Sequence, residues 1–137
     1  MIARWKKLGR EQKGASLVEL ALVLLLLMLM IMGIVDLGRA FTNLMILTNA
    51  SREGARYASH FPTDSAGIIE ATRSAAENSG INPNDMVITI TGLGATRGQP
   101  IRVTTAYDFQ MFLGGLVGIN APLVLQTHTE MVVFGLD

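Results

Sequence analysis

Nineteen consecutive positions, residues 17–35, carry a single charged side chain, Glu19. Within them residues 22–32 hold no polar side chain at all, so no face of a helix built there would be wetter than another. At the helical rise the stretch spans roughly 28 Å, close to the hydrocarbon thickness of a bilayer. It predicts one membrane-crossing helix, and no second apolar run of comparable length follows. From Asp36 the pattern changes. Leu37, Phe41, Leu44 and Leu47 recur at helical spacing, with Met45 and Ile46 beside the stripe, so the helix is predicted to continue in amphipathic form. Ala50, Gly54 and Ala58 then repeat every four residues, and Ser51, Ala55 and Ser59 do so alongside. Small side chains at that spacing let another backbone come close. A sheet of the same chain is the simpler occupant of that face, and a neighbouring subunit the other. Phe61-Pro62 ends the helix, because proline disfavours helical geometry in the residue before it.

Beyond Pro62 the periods shorten. Residues 65–79 read as a short helix with Ile68, Ile69, Thr72, Ala75 and Ala76 on one side and Glu70, Arg73 and Glu77 on the other. Asn78-Ser79-Gly80 supplies its stop and Asn82-Pro83-Asn84 a turn. Residues 86–91 and 101–107 alternate as strands, and residues 123–134 form a long final one. The glycines at 92, 94 and 98 belong to a hairpin turn: no Gly-Lys-Ser/Thr follows them and no helix opens, so a phosphate loop is excluded. Residues 109–119 hold one polar side chain in eleven yet are too short to span a membrane. They either cover a sheet edge or lie against the membrane surface or a partner subunit. Three or four strands on the outer half of a long helix make the fold class α+β.

Composition narrows the chemistry. Cysteine is absent and only His60 and His128 are present, which excludes thiolate sites and multi-histidine metal centres. Ser16, Ser51 and Ser65 have no histidine–acid arrangement to activate them. Basic residues beyond Gly14 are sparse and scattered, so nucleic-acid binding lacks its electrostatic basis. Neither an enzyme nor a cofactor is expected.

Charge adds a direction. Arg4, Lys6, Lys7, Arg10 and Lys13 against Glu11 give the first thirteen residues +4, balanced by −4 over the remainder. Basic residues beside a spanning helix stay on the cytoplasmic side, so the part after the span is expected outside. Conventional signal-peptide cleavage near Gly38-Arg39-Ala40 fits less well. The apolar run is longer than a usual signal core, and Asp36 and Arg39 crowd the site.

Gly14 and Glu19 are the informative pair. A glycine ends the basic head, and it can unwind to present an extended peptide to a protease. A glutamate five residues later, at the mouth of an apolar helix, either lies hydrated at the interface or has a partner, as ionisable groups inside spans usually do. Were the chain cut after Gly14, the free amine of Ala15 would be that partner for the Glu19 of a neighbour. The arrangement resembles the class III signal of type IV prepilins, in which a prepilin peptidase cuts after the glycine.

Three blocks make the resemblance specific: Gly14-Ala15-Ser16-Leu17-Val18-Glu19, then Gly33-Ile34-Val35-Asp36-Leu37-Gly38-Arg39, then residues 48–58, Thr-Asn-Ala-Ser-Arg-Glu-Gly-Ala-Arg-Tyr-Ala. In that order and separation they resemble the TadE-like family, the minor pseudopilins of the tight-adherence (Tad/Flp) pilus system, over roughly residues 14–59. The resemblance implies a pilin-like fold, cleavage between Gly14 and Ala15, and Glu19 as the residue that registers subunits. It gives no role to Asp36, Arg39, Arg52, Glu53 and Arg56, which with Ala50 and Gly54 are candidate helix-interface positions. Leucine rather than tyrosine follows Glu19, and the body is longer than in major Flp pilins, which favours a minor subunit.

The expected organisation is a basic leader (1–14), the transmembrane half of the long helix (15–36), its extracytoplasmic half (37–61) and a small α+β exported domain (62–137). The implied partners are a prepilin peptidase, other pilin-like subunits of the Tad system, the inner-membrane assembly platform and membrane lipid. The implied location is the bacterial inner membrane, single pass with the N-terminus cytoplasmic. The competing reading is an uncleaved, membrane-tethered binding module of the cell envelope.

Overall fold

The computed structural model describes residues 3–116, 118 and 121–134, with side chains from residue 14 onward. The side chains of the basic head, and Val117 and Ile119 of the apolar segment, lie outside the described residues.

One helix, α1 (Ala3–His60), makes up the spine. Its leucines, methionines and alanines are strong helix formers, and no proline interrupts it before Pro62. At the helical rise it is about 87 Å long. The helix runs through Gly14 without unwinding. One glycine costs a helix only about 1 kcal/mol, and the flanking glutamine, lysine and alanine carry the ladder across it. α1 ends where Pro62 requires, with the Phe61 N–H still donating to the Tyr57 carbonyl at 3.0 Å.

A tight turn leads into α2 (Ser65–Glu77). Asp64 caps it, accepting the Gly67 N–H at 2.9 Å. Ile68, Thr72 and Ala76 are buried against α1, the inward side foreseen from the spacing. The helix stops two residues before the expected Ser79, and Gly80 takes the left-handed φ of +98° that turns the chain.

Three strands follow: β1 (Met86–Thr91), β2 (Pro100–Phe109) and β3 (Leu123–Val132), antiparallel in the order β1-β2-β3. Val103 of β2 faces Ile90 of β1 and Thr129 of β3, which fixes the register. β2 is longer than the alternation indicated, because Asp108 and Phe109 also pair, with Val124 and Leu123. β3 is shorter. Val133 and Phe134 leave the ladder, their N–H groups donating instead to Gln99 and Ser59 carbonyls, each at 2.9 Å. One sheet face, with Ile101, Val103 and Phe109 fully buried, lies on α1; the other, with Val87, Arg102 and His128, is exposed.

The small-residue stripe explains how closely sheet, α1 and α2 approach. Ala50, Ser51, Gly54, Ala55, Ala58 and Ser59 are all buried, so this face of α1 is covered by its own chain. A Cβ at Gly54 would collide with the Thr72 side chain and stand 3.3 Å from Val103 Cγ1. Hydroxyls finish the seam. Ser51 and Thr129 share a 2.7 Å hydrogen bond, and Thr105 donates to the Leu47 carbonyl at 3.2 Å. Buried polar atoms are satisfied throughout the described residues.

Candidate functional site

Two regions of α1 lack the cover that the rest of it has. The first is the apolar stretch. From Gly14 to Val35 nearly every residue is exposed, leucines and methionines included, and none of the apolar window is buried inside the molecule. A soluble helix hides such a surface; this one presents it on all sides, as a helix solvated by lipid or by other helices does. Gly14, Ala15 and Glu19 stand exposed at its start, with open space around Gly14. Among the described residues Glu19 has no hydrogen-bond or ion-pair partner.

The second region is a stripe just beyond the span. Leu37, Phe41 and Met45, spaced by four, are 72%, 64% and 61% exposed. Phe41 and Met45 line a shallow groove with Asn49 and Arg52, whereas Leu37 borders the end of the sheet at Phe109 and Leu123. Arg56 binds Glu53 through two hydrogen bonds of 3.0 and 2.7 Å on the exposed helix surface, and Arg52 is exposed beside them. An ion pair so open to water contributes little stability. Of the candidate interface positions, then, Arg52, Glu53 and Arg56 face outward, whereas Ala50 and Gly54 are enclosed by the chain's own core.

Asp36 has a role that its place in the sequence does not announce. It is 5% exposed, at the junction of the apolar and amphipathic halves of α1. Its Oδ1 accepts the Phe112 N–H at 3.0 Å and its Oδ2 the Leu113 N–H at 2.7 Å, capping a third short helix, α3 (Phe112–Leu116). Arg39, one turn on, donates to Oδ1 at 3.1 Å. The Arg39 guanidinium also lies over the rings of Phe112, 3.9 Å from the centroid, and Phe109, at 5.0 Å. Asp36 and Arg39 thus act together, fastening the β2–β3 connection to α1. The apolar segment 109–119 therefore divides: Phe109 ends β2 in the core, and α3 packs on α1 near Gly33 rather than along a sheet edge.

A second ion-linked cap sits at the far end. The Tyr57 hydroxyl donates to Asp64 Oδ2 at 2.8 Å. The Gly67 N–H and, after it, the Tyr57 hydroxyl hold the Asp64 carboxyl below its ordinary value of 3.8, while the same bond raises the Tyr57 phenol. His128 is exposed on the open sheet face, between residues of the same strand, and Arg102 pairs with Glu130 there at 2.7 Å. No cluster able to hold a metal ion exists among the described residues.

Residues 14–56 match the family model described as TadE-like protein. The match begins at Gly14 and takes in all but the last residues of the third block, which bears out the resemblance read from those blocks. The match covers less than half of the chain and supports a pilin-like protein associated with the Tad pilus. With it, the one long apolar helix among the described residues suggests a single-pass membrane anchor. No curated protein and no solved structure matches the chain.

Proposed function

We propose that this chain is a minor pseudopilin of a Tad/Flp pilus, with a structural rather than a catalytic role. The basic head stays in the cytoplasm, a prepilin peptidase cuts after Gly14, and the helix that starts at Ala15 associates with other pilin-like helices. Leaving lipid exchanges one apolar environment for another, so packing of side chains, rather than the hydrophobic effect, must favour the assembled state. The Ala15 amine of one subunit and Glu19 of the next give that packing its register. The subunit then primes, caps or assists the fibre, with adhesion downstream.

The observation that carries this reading is an apolar helix uncovered over nearly all of its length, prolonged beyond the span by the exposed Leu37, Phe41 and Met45. A tethered binding module needs the anchor but not the extended stripe. A helix that packs beside others needs both. Gly14, Ala15 and Glu19 are exposed together at the start of that surface, which suits a peptidase and a neighbouring subunit in turn.

The mature N-terminus tests the proposal. Intact-mass analysis of the protein from membranes of the producing bacterium is expected to show a chain beginning at Ala15. A chain that still begins at Met1 would instead establish the uncleaved tether.

A further inference from the structure

We propose that α3 is a second membrane contact, an interfacial foot seated among phospholipid acyl chains beside the spanning helix. It rests on reading residues 17–35 as the span. Every side chain α3 possesses is apolar: Phe112, Leu113, two glycines and Leu116. Leu113 points inward, 3.7 Å from where a Cβ on Gly33 would stand. Phe112 and Leu116, one turn apart, point outward and are 59% and 63% exposed. In water such a pair would gain nothing by facing outward.

The position of this pair decides what covers it. Phe112 and Leu116 form one apolar groove with Met28, Ile31 and Val35 of α1. Those three residues belong to the span itself. Met28 lies seven residues before Val35, about 10 Å deeper along the helix axis. A groove with that floor is within the hydrocarbon region whenever α1 crosses the bilayer, and acyl chains are what fills it. The depth matches that of an interfacial helix, about 5–10 Å into the headgroup boundary. Backbone polarity is dealt with as well. Asp36 accepts the Phe112 and Leu113 N–H groups, so these two donors at the start of α3 are paired before they meet lipid. Asp36 itself is shielded beneath α3 and bound to Arg39, which stands on the aqueous side of it along α1.

The test uses the full chain in vesicles of phosphatidylethanolamine and phosphatidylglycerol, with acyl chains brominated either near the headgroup or deep. Trp5 is the only tryptophan, so a Trp5→Phe background leaves one reporter per variant. Phe112→Trp preserves the aromatic face beneath Arg39, and Leu116→Trp probes the same side of α3 independently. Leu26→Trp marks the middle of the span, and Val87→Trp the exposed sheet face. Shallow bromines are expected to quench Phe112→Trp and Leu116→Trp, with blue-shifted emission shielded from acrylamide, as deep bromines quench Leu26→Trp. If acrylamide quenches both α3 reporters as it does Val87→Trp while Leu26→Trp is lipid-quenched, the foot is refuted and the span stands. If neither quencher reaches the α3 reporters, a second copy or another protein covers them, and the foot is refuted likewise. Escape of Leu26→Trp from the bromines would refute the span and the foot together.

Discussion

Gly54→Ala adds one methyl group, and the packing gives that methyl group nowhere to go. It meets the Thr72 side chain from α2 and Val103 from the sheet, with the Thr72 contact tighter than any at the other described glycines. Thr72 cannot swing aside freely, because it is β-branched, fully buried, and donates its hydroxyl to the Ile68 carbonyl at 2.7 Å. Overpacking a core typically costs about 1–3 kcal/mol. Turning the Thr72 hydroxyl away from its acceptor costs about 1–3 kcal/mol more if it is left unpaired. Alanine returns about 1 kcal/mol through its better helix propensity. The balance is a loss of about 3 kcal/mol, or a melting temperature lower by roughly 12–24 °C for the part of the chain outside the span. Near-UV circular dichroism of Tyr57 and Tyr107, which pack on the two core clusters, reports the transition in detergent micelles. Gly38→Ala is the control, since nothing lies within 4 Å of its Cβ position. There the same change is expected to be neutral or to stabilise by up to about 1 kcal/mol. Adding Thr72→Ala should relieve part of the Gly54→Ala loss, as contacting sites are non-additive. Equal effects at Gly54 and Gly38 would refute the close-approach argument.

Other perturbations test the remaining parts. Gly14→Leu is expected to leave uncut precursor in the membrane, visible as an unshifted band and an intact Met1; normal maturation would contradict the proposed cleavage. Glu19→Ala is expected to mature normally but to recover fewer sibling pilins in a pull-down, and undiminished recovery would remove Glu19 from registration. Asp36→Ala removes the acceptor for two α3 amides, so hydrogen exchange at Phe112 and Leu113 should quicken on the order of tenfold while β1 stays protected. Acidification tests the Asp64 cap. Because its folded pKa lies below 3.8, its contribution is fully present above that value and is lost as pH falls through the folded one. Asp64→Asn should flatten that acid limb of the stability profile, and an unchanged limb would place the acid sensitivity elsewhere.

Periodicity made the long elements legible, and burial explains why. Residues 17–35 need no partner within the chain to be apolar, and residues 86–91 alternate because one sheet face meets α1 and the other meets water. The inward residues of α2 followed from the same logic. What could not be read was contact between distant positions. Asp36 and Leu113 are 77 residues apart, and nothing near either one announces the other. A lone aspartate at the end of an apolar run looks like an interfacial charge until the backbone it caps is in place. The helix is unbroken at Gly14 because a glycine permits unwinding but does not compel it, and the neighbouring residues decide.

An uninterrupted α1 has a mechanical consequence. Between Asp36 and His60 it is a lever arm of about 37 Å, and α3 is clamped to its base just where Gly33 and Gly38 would otherwise let it bend. Leaning the buried part by 10° would sweep the far end sideways by about 6 Å. With residues 17–35 in a bilayer, a change of its thickness that tilts the span would displace the α+β head.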